Sequence, residues 1–244
     1  MYYIITFIGL LCYNRCMDKN FRVRLVVGLS MFVIALIALY TFDSVPFKLL
    51  YGFFSFVALL ELLSFFKKKH SFDNTILVIL EAGFLAYGCL FVSQTDVSHF
   101  WYIILGVPGY DVFAYLFGKM FGGKWFGKSR PFPKISKNKT WEGTICGLLM
   151  SIGAVAILMA IRGSFSSDWI YLLCGPLALA GDLFESHLKR TFMVKDSNEI
   201  VRKNKIFSWL EILVGGSEGH GGFLDRIDST AFATSILALL TLFS

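Results

Sequence analysis

TICGLLMSIGAVAILMAI, residues 144–161, contains no charged side chain. An α-helix needs about 20 predominantly apolar residues to cross the roughly 30 Å hydrocarbon core of a bilayer. This run is close to that length, and it has company on both sides. Upstream, residues 100–118 form another apolar run, carrying Pro108 and Asp111, and a short polar turn at 93–98 separates it from residues 75–92, which hold Glu81. Residues 49–66 hold Glu61 and end on Lys67, Lys68 and Lys69, and residues 25–42 are followed by Pro46. Downstream are two shorter runs, 169–181 with Pro176 inside it and 230–243. Residues 2–13 are apolar but short. No basic residue precedes them and no small-x-small site follows, so they read as a short or re-entrant helix rather than a cleaved signal.

Composition agrees. The chain has 244 residues, 56% hydrophobic, 16% charged, with a mean hydropathy of +0.65 and 26 Phe. A soluble domain carries about a quarter charged residues. The expected fold is all-α: a polytopic integral membrane protein of about eight transmembrane or re-entrant helices. Helices sharing one bilayer make a single membrane domain, described as N-terminal membrane helices (1–99) and a catalytic region (100–244). Cys12, Cys16, Cys89, Cys146 and Cys174 form no CxxC pair, and all but Cys16 lie inside apolar runs. They read as buried small hydrophobes rather than a disulfide framework or zinc site.

The net charge of +6 has two readings, nucleic acid or membrane topology. Its distribution separates them. With the N-terminus outside and eight crossings, all of the 23 Lys and Arg except Lys48 and Arg162 fall on inside loops. That is the positive-inside pattern, and a wrong helix count would scramble it. Nucleic acid is therefore not an expected partner. The same count puts loops 119–143 and 182–229 on one face, the cytoplasmic one, where they can form a single site.

These two loops crowd carboxylates, cations and glycines into an otherwise oily chain. Asp182 and Glu185 are three apart and share a face if the preceding helix continues, with Lys189 and Arg190 a turn later. An ordinary solvated helix end with a Glu185–Lys189 pair reads the same residues. Asp225 and Asp228 are again three apart, flanking Arg226, and follow Gly219-His220-Gly221-Gly222. A glycine-rich turn ahead of a helix bearing two carboxylates suits phosphate held by backbone N–H groups and a hard cation held by oxygens. A loop with a membrane-proximal Asp–Arg pair is the plainer alternative. Residues 134–143, KISKNKTWEG, place Lys134, Lys137 and Lys139 among Ser136, Thr140, Trp141 and Glu142. The lysines serve topology, or neutralise a triphosphate or an anionic headgroup. Asp111, and at lower weight Glu61 and Glu81, are intramembrane carboxylates, costly and by default functional. Neutralisation or a hydrogen bond within the bundle is their other reading.

At these residues the chain resembles the phosphatidate cytidylyltransferases. The family pattern S-x-hydrophobic-K-R-x4-K-D is met by Ser186, Lys189, Arg190, Lys195 and Asp196. H-G-G-hydrophobic-x-D-R-hydrophobic-D is met by His220, Gly221, Gly222, Asp225, Arg226 and Asp228. Asp111, Ala114, Tyr115 and Gly118 look like a further family element, as do Lys134, Ser136, Lys139, Thr140, Trp141, Glu142 and Gly143. The resemblance covers residues 105–230. It departs from the family in a longer linker, 197–219, and in Val112 and Phe113 where small residues are usual. The excess, 198–218, carries Ile206–Val214 behind Arg202, Lys203 and Lys205 and looks interfacial and amphipathic.

The resemblance implies transfer of CMP from CTP to phosphatidic acid, giving CDP-diacylglycerol and pyrophosphate for phospholipid biosynthesis. It implies Mg²⁺, with room for a second cation, held by Asp182, Asp225 and Asp228. Lys189 and Arg190 join these aspartates as catalytic residues. Substrate contacts would come from Asp111, Ser136, Lys137, Lys139, Thr140, Glu142, Glu185, Ser186, Lys195, Asp196, His220, Gly221, Gly222 and Arg226. The expected partners are CTP, phosphatidic acid and membrane lipids, and a homodimer is allowed. The expected location is the inner (cell) membrane with the active site facing the cytoplasm. The competing readings are a CTP-dependent enzyme with another lipid acceptor (a polyprenol kinase or an ether-lipid cytidylyltransferase), a transporter using Glu61, Glu81 and Asp111, and a non-catalytic homologue.

Overall fold

Every regular element among the described residues is helical. The computed structural model describes residues 44–63, 72–127, 129–193 and 224–242. The long helices are α1 (Ser44–Leu63), α2 (Phe72–Gln94), α3 (Val97–Phe121), α4 (Trp141–Arg162), α5 (Cys174–Thr191) and α6 (Leu224–Thr241). The chain divides into two units, Met1–Phe47 and Lys48–Ser244. Apart from residues 44–47, all that follows concerns the second. The expected runs 2–13 and 25–42 and the excess segment 198–218 lie outside the described residues.

Three helical segments are long and apolar enough to cross a membrane: Asn74–Gln94, His99–Phe121 and Trp141–Arg162. Tyr51–Leu63 and Ile227–Thr241 are shorter apolar helices. The chain is thus an integral membrane protein, all-α among the described residues. The observed helices run a few residues past the apolar runs. Helix α3 continues to Phe121 and α4 begins at Trp141, so the loop between them is shorter than the polar composition of 119–143 predicts. Thr140 sets the start of α4: its hydroxyl accepts the Gly143 N–H at 3.1 Å, satisfying one amide that the helix cannot.

The largest change is at 169–181. A single turn, Phe165–Asp168, and a 3-10 turn, Trp169–Leu173, come first. Helix α5 then runs unbroken from Cys174 to Thr191. Pro176 falls in its first turn, where a missing N–H costs nothing. The apolar run and the charged motif are therefore one helix, and Asp182, Glu185, Lys189 and Arg190 all stand on it.

Close packing brings the ends together. Helices α3 and α4 make the most extensive contact, α6 lies against α2 and α5, and α3 against α5. Small residues make the α3–α4 seam: a Cβ at Gly147 would come within 2.8 Å of the Ala114 methyl. In lipid, where apolar burial alone does not drive helices together, such close approach supplies the association. Hydroxyls buried in the seams add bonds, as Ser151 does by donating to the Gly106 carbonyl at 2.7 Å and Ser235 to that of Phe84 at 2.7 Å.

Candidate active site

Asp182 sits mid-way along α5, one residue after Gly181. That glycine decides its neighbours. A Cβ there would lie 2.9 Å from Ser229 Cα and 2.9 Å from Phe232 Cβ of α6. With hydrogen in its place, α6 presses against α5, and Asp228 comes within electrostatic range of Asp182, Asp111 and Glu81. Four helices, α2, α3, α5 and α6, each contribute one carboxylate to this region. Asp228 and Glu81 are buried. Such a concentration of carboxyl groups away from water is costly unless they are protonated or paired with cations.

Lys139 supplies one. It reaches from the 122–140 loop to pair with Asp182 Oδ2, and its ammonium lies 5.7 Å from the centre of the Tyr110 ring. Its field also reaches Asp111. The Ser186 hydroxyl donates to Asp182 Oδ1 at 3.5 Å. The Arg190 Nε makes a long 3.4 Å bond to the Ile135 carbonyl, a second tie between α5 and the same loop.

Between α3, α4, α5 and this loop is a cavity of about 460 Å³. Asp111, Lys139 and Asp182 line it, with Ser136 and Thr140. The structure thus gathers Asp111, Ser136, Lys139, Thr140 and Asp182 around one space. Val112 and Phe113 do not prevent Asp111 from joining it, since they point along other faces of α3.

Other expected site residues are placed differently. Glu142 is 1% exposed and turned away from the cavity. Its Oε1 accepts the backbone N–H groups of Gly123, Trp125 and Phe126 at 2.9, 3.0 and 3.1 Å. It therefore staples the loop between α3 and α4. Lys189 Nζ stands 2.5 Å from the buried Glu185 carboxylate, the i,i+4 pair that the spacing allowed. Lys137 is exposed on the loop. Asp225 and Arg226 open α6, and Lys195, Asp196, His220, Gly221 and Gly222 lie outside the described residues.

Sequence reasoning missed Tyr110, Lys119 and Thr144, which also line the cavity. A signal for Lys119 was available: 111, 115 and 119 repeat at helical spacing from Asp111. Tyr110 and Thr144 read as ordinary apolar-run residues, and only packing reveals them.

As for a cation, the donor set is carboxylate oxygen, which suits Mg²⁺. Among the described residues no three His, Cys, Asp or Glu stand close enough to hold an ion alone. Mg²⁺ typically takes one or two carboxylates and completes its shell with water and substrate phosphate, so these residues fit such a site.

Residues 85–202 match the model of the cytidylyltransferase family. A phosphatidate cytidylyltransferase of Rickettsia conorii is 34% identical over 168 residues, covering 63% of this chain and 63% of the relative. One from Staphylococcus aureus is 35% identical over 182 residues, covering 71% of this chain and 62% of the relative. One from Staphylococcus saprophyticus is 30% identical over 181 residues, with 71% and 62% covered. The chain therefore spans somewhat less than two thirds of the length of these relatives.

Proposed function

We propose that this protein transfers CMP from CTP to phosphatidic acid, releasing pyrophosphate and leaving CDP-diacylglycerol in the membrane. The observation that carries the proposal is the meeting of Asp111, Asp182 and Lys139 at one cavity, with Asp228 in the field of the two aspartates. A nucleotide triphosphate and a phospholipid headgroup are both anionic. They need cations held in place by acids, and a site at the end of apolar helices leaves the acyl chains in lipid.

The reaction needs no side-chain nucleophile. A phosphate oxygen of the lipid attacks the α-phosphorus of CTP. The bond from that phosphorus to the bridging oxygen breaks, and pyrophosphate leaves. Catalysis is then positioning and charge neutralisation. Asp182, Asp225 and Asp228 would hold Mg²⁺, which supplies charge neutralisation on the phosphates when bound. Lys139 is held by Asp182 and Tyr110 at the cavity wall, where it can neutralise a phosphate oxygen. Arg190 and Arg226 are further candidates for the pyrophosphate, and Ser136 and Thr140 offer hydroxyls to the ligand. The positive-inside count supports a cytoplasmic orientation, so CTP would arrive from the cytoplasm.

The test uses purified protein in detergent with Mg²⁺, phosphatidic acid and CTP labelled at either the α- or the γ-phosphate. The α-label should enter the lipid and the γ-label should leave as pyrophosphate. Transfer of the γ-label to a lipid would mean a kinase. No labelled lipid across several acyl chains and divalent metals would overturn the enzyme reading.

A further inference from the structure

Helix α1 lies before the segment that matches the family, residues 85–202, yet it touches the helix that carries Asp225 and Asp228. The Glu61 side chain is buried, and its Oε2 accepts the backbone N–H of Leu224 at 2.9 Å, across 163 residues of sequence. Leu224 is the first residue of α6. The opening amides of a helix have no acceptor within it, and that end carries partial positive charge. A carboxylate from α1 answers both needs.

A second bond fixes how α6 runs along α1. The Tyr51 hydroxyl meets the Thr234 hydroxyl at 3.3 Å. From Tyr51 to Glu61 and from Thr234 back to Leu224 is the same number of residues, about 15 Å of helix in each case. The two bonds therefore hold α6 antiparallel to α1 in one register. The helices do not pack closely along their backbones, so these side chains make the link. Asp225 follows Leu224 directly, and Asp228 is one helical turn beyond it on the same side. Sliding α6 by one residue would move each aspartate about 1.5 Å and rotate it by about 100°.

We infer that α1 is a register rail for α6, and that Glu61 is a positioning residue that sets where Asp225 and Asp228 stand. The catalytic consequence rests on the cytidylyltransferase reading, whereas the contact itself does not. Burying a carboxylate in an apolar helix is costly, and its use here is to hold the start of a helix rather than to meet substrate.

The experiment compares Glu61→Ala and Glu61→Gln in the full-length protein in detergent, by kinetics and by amide hydrogen exchange. Glu61→Ala should lower kcat about tenfold or more and leave KM for CTP within about twofold. It should also raise the Mg²⁺ concentration needed for half-maximal activity. Exchange at the first amides of α6 should quicken about tenfold or more, with α3 and α4 unchanged. Glu61→Gln keeps an oxygen at the same reach and loses only the charge, so it should return to within about fivefold of the parent. Full kcat in Glu61→Ala, no rescue by Gln, or faster exchange throughout the bundle would each overturn the proposal. If the parent protein forms no CDP-lipid, the functional reading fails by itself. The exchange at α6 then decides the contact alone: quickening confined to its first amides upholds the rail, and unchanged exchange removes it.

Discussion

At one end of the bundle His99 faces Asp168 at 3.6 Å, stacked on Tyr171 with ring centres 5.2 Å apart. At the other end Lys139 faces Asp182 beside Tyr110. Each end has a basic side chain, an aspartate, a tyrosine and a cavity, of about 410 Å³ and 460 Å³ respectively. The inventories are alike, and the connections differ. The His99 end is tied by bonds between elements: Lys48 Nζ donates to the Ser93 carbonyl at 2.9 Å, and the Tyr102 and Ser164 hydroxyls meet at 2.7 Å. At the Asp182 end, carboxylates from three other helices lie within electrostatic range of Asp228, and Gly181 lets α6 approach α5. An aspartate, a basic side chain and a tyrosine beside a cavity are common to both ends, and what sets the Asp182 end apart is the number of helices that bring a carboxylate to it.

The sharpest way to break the comparison is Asp228→Asn. It removes an acid from the crowded end without changing shape, and turnover should fall on the order of 10³-fold. Activity within tenfold of the parent would remove Asp228 from the site. Lys139→Ala should lower kcat/KM for CTP by roughly 10- to 100-fold, the scale of one lost bond to a charged partner. Lys139→Arg should recover part of it. Gly181→Val would push α6 off α5 and cost about 1–3 kcal/mol of stability, measured as a lower unfolding midpoint in detergent, with activity falling alongside. Unchanged stability would show that the seam is looser than its geometry.

Glu142→Gln keeps the acceptor of three N–H groups but loses its charge. Proteolysis within residues 122–127 should quicken, and turnover should fall only about threefold. A loss as deep as that of Asp228→Asn would mean that Glu142 meets substrate. At the opposite end, His99→Ala should change stability by about 1 kcal/mol or less and leave turnover within about twofold. A large loss there would erase the contrast between the ends.

Much of the site was legible because its chemistry is local. Asp182, Lys139, Thr140 and Asp228 stand out as polar residues in an apolar chain, and a polar side chain there must find water, a partner or a ligand. What was not legible depended on distance through space. Glu142 and Lys139 lie three apart in one motif, yet one staples a loop and the other reaches a cavity. Their residue types allow either role. Tyr110 looks like any apolar-run tyrosine until Lys139 is placed over it.

The apolar runs by themselves determined helices in a membrane and the rough extent of the spans at 49–66, 75–92, 100–118 and 144–161, though not that of 169–181, because burying unpaired backbone in lipid leaves the helix as the only choice for such runs. The tertiary structure alone decided which acids meet. Helix periodicity can say which residues share a face, but not which faces are pressed together. That was set by a missing Cβ at Gly181, by the Lys139–Asp182 pair, and by a carboxylate on α1 that holds the first amide of α6.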